Sequence, residues 1–127
     1  MSYGFNAKRG LIVVKARLWG AEGKATLSLA LDTGATGTLI SQTRLIELGY
    51  DTSTNKELHQ ITTGSGTEFV PVISLDKIAA LDQEQSAFSV LCHNLPPSAG
   101  VDGLLGLDFF RGQTLNIDFR TGLITLD

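Results

Sequence analysis

The sequence predicts an all-β domain, compact and barrel-like, with one or two short helical turns. Three observations carry that expectation. Aliphatic and β-branched runs of strand length recur along the chain, from Leu11–Leu18 and Ala25–Leu31 to Leu123–Leu126. Glycine-rich or polar turn signals separate them. The stretch Leu115, Ile117, Phe119 alternates with Asn116 and Asp118, the period of a strand with one face buried.

In chain order, Leu11–Leu18 and Ala25–Leu31 are joined through Trp19-Gly20-Ala21-Glu22-Gly23-Lys24, which reads as a hairpin connection. Ser41 stands where it could cap a helix over Gln42–Leu48. That helix would bury Leu45, Ile46 and Leu48, with Gly49 as its left-handed stop. Glu57–Thr62 and Thr67–Leu75 flank Thr63-Gly64-Ser65-Gly66, a second hairpin with a glycine-softened tip. Pro71 cannot donate a ladder hydrogen bond, which puts the return arm at an edge. Ile78–Leu81 and Ala87–Cys92 are short strands on either side of the polar turn Asp82–Gln85, and a loop follows over Asn94–Gly100. Val101–Leu107 is apolar but interrupted by Gly103 and Gly106, and Thr114–Phe119 and Leu123–Leu126 close the chain as a pair.

The chain has 127 residues, the size of one domain, and is read as one over residues 1–127. Such a length buries roughly two-thirds of its extended surface on folding. Hydrophobic residues at 43% and charged residues at 18% place it among globular proteins. Ten basic against thirteen acidic residues give a net charge of −3, which offers no general attraction to nucleic acid or anionic membranes. A single cysteine excludes an internal disulfide and any multi-cysteine metal site. Met1–Gly10 is polar, with no apolar core of signal-peptide length behind Lys8 and Arg9. The expectation is a soluble, cytoplasmic chain.

Two segments depart from plain strand chemistry. Leu29-Ala30-Leu31 runs into Asp32-Thr33-Gly34-Ala35-Thr36. A carboxylate at the end of a buried strand is costly unless hydrogen-bonded, paired or neutralised. Gly34 permits a sharp turn or a close approach, and the Thr33 hydroxyl can hold it. Taken alone, Asp-Thr-Gly reads as an Asx-type turn. Leu104-Leu105-Gly106, taken alone, reads as a core strand with a bulge.

In combination they mean more. An apolar strand into Asp32-Thr33-Gly34-Ala35, a glycine-tipped hairpin, and Gly103-Leu104-Leu105-Gly106-Leu107-Asp108-Phe109-Phe110 occur in one order. That order resembles the retropepsin-like aspartic proteases, closest to their single-domain cellular and bacterial members. The resemblance implies a closed retropepsin barrel working as a twofold homodimer on a peptide or protein substrate, without cofactor or metal. It makes Asp32 the catalytic aspartate and gives Thr33 the task of locking the two active-site loops together. Gly34 and Ala35 would continue the site loop, with Gly34 lining the cleft, and Leu104-Leu105-Gly106 would pack beneath it. Thr63, Gly64, Ser65 and Gly66 would form the tip of a flap, and Asp108–Arg111 a single helical turn.

Departures from the retroviral pattern are Thr36, where an acidic or amide residue is usual, and Leu107, where arginine is usual. The flap tip also lacks an apolar residue between its glycines. An alternative is a catalytically silent dimeric module of the same fold that binds peptide or protein. Other residues fit bland roles. Cys92 and His93 are adjacent on a strand, so they point to opposite faces and cannot pair as a thiol dyad. His59 and His93 carry no metal-ligand spacing. Asp108 is expected to cap the turn after it, Asp102 to sit in the turn before Gly103, and Trp19 to pack or contact a partner.

Overall fold

The computed structural model describes residues 2–53 and 57–127. Strand β2 (Val13–Gly20) buries Val14, Ala16 and Leu18 and exposes Lys15 and Arg17, and it pairs antiparallel with β3 (Gly23–Leu31) through a tight turn at Ala21-Glu22. The Leu11 end of the expected strand is not part of it. The backbone of Ile12 instead accepts the Leu31 N–H at 2.8 Å. Next come β4 (Leu39–Ile40), helix α1 (Gln42–Glu47), β5 (Leu58–Thr63), β6 (Gly66–Ala80) and β7 (Gln83–Cys92). The chain ends with β8 (Gly103–Leu105), a 3₁₀ turn over Leu107–Phe109, β9 (Leu115–Asp118) and β10 (Leu123–Leu126).

Pairing runs β2-β3-β8-β4-β7-β6, and β6 pairs back onto β2, so six strands close into a barrel with β5 appended to β6. Closure leaves no free edge within the ring. Leu18, Leu29, Ile40, Leu75, Ile78, Leu105 and Phe109 fill its interior. The step that no local pattern announces is β8. It inserts between β3, parallel, and β4, antiparallel, at Ala30↔Leu104 and Leu39↔Leu104. A small sheet of different composition unites the chain ends: β1 (Ser2–Gly4), β10 and β9. The polar opening segment had given no sign of β1.

Several local expectations are corrected. The return arm of the second hairpin and the strand after it are one continuous strand, β6, although the buried positions slip phase between Leu75 and Ile78. Tyr50 bridges the slip: its hydroxyl accepts the Asp76 N–H at 2.8 Å and donates to the Trp19 carbonyl. Burial of that phenol pushes its pKa up, so it stays neutral in both roles. The turn expected over Asp82–Gln85 is shorter and lies at Leu81-Asp82, both left-handed at φ 52° and 58°. Two-residue hairpins favour that geometry, but a non-glycine residue pays for it in strain. Leu81 anchors into the core, and Asp82 accepts a hydrogen bond from Tyr3, whose phenol is thereby pushed up to about 12.

Helix α1 is where expected and Gly49 stops it at φ 93°, but Ile46 is 55% exposed; only Leu45 and Leu48 face the core. The Ser41 side chain does not cap it. Asn94 does, from the loop after β7: its Oδ1 accepts the Gln42 N–H at 2.9 Å and the Ser41 hydroxyl at 3.1 Å. Phe119 does not share the burial of Leu115 and Ile117; it is 65% exposed, its ring edge-on to Phe5 at 5.8 Å. Trp19 packs beneath two cations, Lys77 at 4.1 Å and Arg17 at 5.5 Å. Pro71 does sit beside an edge: Val72 donates to Glu57 at 3.1 Å, so the proline nitrogen points the other way, beyond the last β6–β7 pair at Val72↔Leu91. Among the described residues no helix is long and apolar enough to cross a membrane.

Candidate active site

β3 ends in Leu31, and the backbone of the next residue is already fixed: Asp32 N–H donates to the Leu105 carbonyl at 3.0 Å. The Asp32 carboxylate is half-buried and turns back on its own loop, Oδ1 accepting the Gly34 N–H at 2.9 Å, while the Asp32 carbonyl accepts from Ala35 at 3.2 Å. This is the Asx-type turn that an isolated Asp-Thr-Gly suggests. It leaves Oδ2 to act elsewhere. Thr33 and Gly34 are exposed at the loop crest.

The loop is clamped from below by the second element. Leu105 is fully buried under it, and Leu104, on the opposite face of β8, turns toward the cavity described below. Leu107 N–H donates to the Ala35 carbonyl at 2.8 Å. A methyl on Gly106 would lie 2.7 Å from the Gly37 carbonyl carbon and 2.9 Å from the Ala35 oxygen, so only glycine lets the two segments touch.

The sequence reading missed Thr38 and gave Asp108 a different role. Thr38 is fully buried; its hydroxyl donates to Asp108 Oδ1 at 2.7 Å and accepts the Gly106 N–H at 3.1 Å, while its own N–H reaches Asp108 Oδ2 at 3.0 Å. Asp108 therefore does not cap the turn after it. It spans 70 positions to hold the far end of the Asp32 loop. A threonine four residues after a glycine and an aspartate two after another were the available signals, but neither is distinctive alone. Asp102 likewise does more than turn the chain: its carboxylate accepts the Ser28 N–H at 3.0 Å and lies 3.8 Å from Arg44.

Thr38→Val is expected to cost about 2 kcal/mol or more, since it strands the Gly106 N–H and one Asp108 oxygen in a buried place. A lowered urea midpoint with unchanged slope, and near-recovery in Thr38→Ser, would register it.

Above the loop lies a cavity of about 820 Å³. Gly34, Ala35, Thr36 and Gly37 form its floor and Leu39, Leu91 and Leu104 an apolar wall. The hairpin supplies its roof through His59, Gln60, Ile61, Thr62, Ser65 and Glu68, and His93–Pro96 close one end. Of the expected hairpin tip, Ser65 reaches the cavity; Gly64 and Gly66 are exposed, Gly66 in the left-handed region at φ 124°. Thr63 pairs with Gly66 through its backbone, and its side chain lies outside the described residues. The lining begins at Gly34, and Asp32, two residues before it, lies outside it.

Cys92 is 5% exposed, and burial pushes its thiol pKa up, the opposite of what a nucleophilic cysteine needs. His93 and His59 both border the cavity. His93 lies 3.7 Å from Glu68.

The comparisons with known proteins fit this geometry. In the solved structures, the chain is similar to a retropepsin-like aspartic protease from Rickettsia conorii, with a TM-score of 0.74 and 19% identity. The match covers 99% of this chain and 88% of that one. At that identity the likeness concerns the fold, and the fold is retropepsin-like. No curated protein sequence matches. A family model described as aspartyl protease matches residues 14–109, from the first barrel strand through the Asp32 loop and the hairpin to the Thr38–Asp108 clamp. On that match over most of its length, the chain belongs to the aspartyl protease family.

Proposed function

We propose that two copies of this chain associate about a twofold axis and hydrolyse peptide bonds with a pair of Asp32 carboxylates. The observation that carries this reading is the Asp32 loop itself. It is clamped from beneath through Leu105, Gly106 and Thr38, yet its crest, Thr33-Gly34, is exposed at the open side of a roofed cavity. A loop fixed so firmly and left uncovered suits a surface that a second copy completes. An isologous contact of this kind brings the same residue from each subunit to the axis.

Each chain supplies one Asp-Thr-Gly, and the chemistry needs two carboxylates sharing one proton. At about 3 Å separation both cannot ionise, so one stays protonated. The ionised member takes a proton from a water between them as that water attacks the peptide carbonyl. The protonated member stabilises the developing oxyanion, and a proton then passes to the departing amine. Gly34 N–H already engages one carboxylate oxygen, which leaves the other to face the water. Thr33, at the crest, would join the two loops across the axis.

The substrate would be an extended peptide or protein segment, bonded through its main chain between the loop floor and the hairpin roof in strand-addition style. In this role the hairpin is a flap, with Gly64-Ser65-Gly66 at its tip.

The test is cleavage of a mixed peptide library from about pH 3 to 7, the range over which carboxylates and their coupled pairs change protonation. The chain is run at high concentration beside Asp32→Asn. An acid-shifted, bell-shaped profile of cuts that vanish in the variant is expected. A folded dimer that binds peptides but cuts none at any pH would make the protein a binding module instead.

A further inference from the structure

We infer that Glu68 and His93 form a proton-operated latch that ties the hairpin roof to the barrel, closed when the imidazole is charged and released when it is neutral. The inference concerns the movement of β5 and β6; its meaning as control of access to a catalytic cleft rests on the function proposed above.

The geometry begins at Pro71. From Val72 onward β6 is laddered to β7, the first pair being Val72↔Leu91. Before it, β6 pairs with β5, the last strand of the sheet, from Leu58↔Pro71 to Thr63↔Gly66. The hairpin is therefore an arm that leaves the barrel at Pro71, where the missing N–H removes a possible bond to the neighbouring strand. A second cavity, of about 290 Å³, lies in the resulting gap, between Glu68–Pro71 on the arm and Cys92–Asn94 on the barrel.

Glu68 and His93 face each other across that gap, carboxylate to Nε2 at 3.7 Å, and both also line the larger cavity over the Asp32 loop. The pair thus forms the partition between the two cavities. The barrel side of the tie is firm: His93 N–H donates to the Ile40 carbonyl at 3.1 Å, and the next residue, Asn94, caps α1. A charge change at His93 acts on a fixed post and a hinged arm.

Imidazoles change charge between about pH 5 and 8, so the attraction to Glu68 exists on the acidic side of that range and fades on the alkaline side. The other groups around the pair do not supply the same response. His59, on β5, shares the larger cavity and would repel a charged His93, favouring opening where the pair favours closure. Cys92, beside the second cavity, is kept neutral by burial. Gln42 and Asn94 are polar without charge. Glu68 is the one carboxylate among the described residues lining both cavities. The pair is partly exposed, with side chains 28% and 50% accessible, so its effect on the closed-to-open ratio is about two- to fivefold.

The experiment is a spin-label distance measurement on the full chain, without substrate, between Thr67→Cys on the arm and Thr43→Cys on α1. Both sites are exposed, while the native Cys92 is buried and protonated and stays unlabelled. The wild-type background should show a distribution that shifts toward the longer, open distance from pH 5 to 7.5. His93→Gln should give one distribution at both pH values, Glu68→Gln should lose the alkaline opening or reverse it, and His59→Gln should keep the shift. Asp32→Asn should also keep it, which separates the latch from the catalytic reading. A distribution that ignores pH in the wild-type background, or a shift that survives both Glu68→Gln and His93→Gln, would overturn the inference.

Discussion

Asp32→Asn is expected to abolish peptide hydrolysis, by about 10⁴-fold or more, in a protein that still folds and still assembles. The reasoning is local. Asparagine keeps an acceptor oxygen for the Gly34 N–H and the same backbone bond to Leu105, so the loop retains its geometry. It removes the exchangeable proton from both halves of the proposed pair at once. Positioned acid–base groups contribute about 10²–10⁴ each, and here one substitution deletes the base and the acid together.

The same change makes a second, independent signature. In the proposed dimer, two carboxylates at one axis must hold a proton between them, so assembly of the native chain would take up a proton and weaken as pH rises. Two asparagines carry no such requirement. Sedimentation of both proteins across pH should find a dimer dissociation constant that rises with pH for the native chain and stays flat for Asp32→Asn. Residual acid-dependent cutting by the variant, or equal pH slopes for the two proteins, would remove Asp32 from its assigned role.

Gly103→Ala is expected to have the largest effect on stability. A methyl there would sit 2.0 Å from the Leu39 carbonyl oxygen and 3.1 Å from the Ile40 and Leu39 backbone carbons. The obstruction is backbone, not the end of a side chain that could swing away, so β4 and β8 must separate. β8 is also the parallel partner of β3, and prising it from β4 opens the barrel at its innermost joint. Overpacking usually costs about 1–3 kcal/mol, and this site lies at or beyond the upper end. Against a total of about 5–15 kcal/mol, that is a large share of the fold.

Gly106→Ala serves as the contrast. Its methyl would meet Gly37 and Ala35, at 2.7 to 2.9 Å, so the strain falls on the Asp32 loop and the Thr38 clamp. Urea melts should rank Gly103→Ala as the less stable of the two, while turnover measured on the folded fraction of Gly106→Ala falls well below native. Equal midpoints for native and Gly103→Ala would mean that β4 and β8 are not held as described.

The sequence by itself determined the elements whose energetics are local. Aliphatic and β-branched runs placed β2 and β3, alternation placed β9, glycine-bearing turns placed the hairpins, and a glycine in the left-handed region placed the end of α1. Asp32-Thr33-Gly34 and Leu104-Leu105-Gly106 were legible as a related pair through their order, and the structure puts them in contact.

Only the tertiary structure decided the rest. β6 continues through a phase slip because the Tyr50 hydroxyl, more than twenty positions away, takes the Asp76 N–H. α1 is capped by Asn94 across 52 positions, not by the serine beside it. The loop that carries Asp32 is held by Thr38 and Asp108, a pairing that exists because β8 slots between β3 and β4. The physical reason is common to all three. Turn and periodicity signals reflect energies among neighbours, whereas a buried hydroxyl, carboxylate or amide takes whichever partner the closed barrel brings within reach, and it must take one because leaving it unpaired is costly.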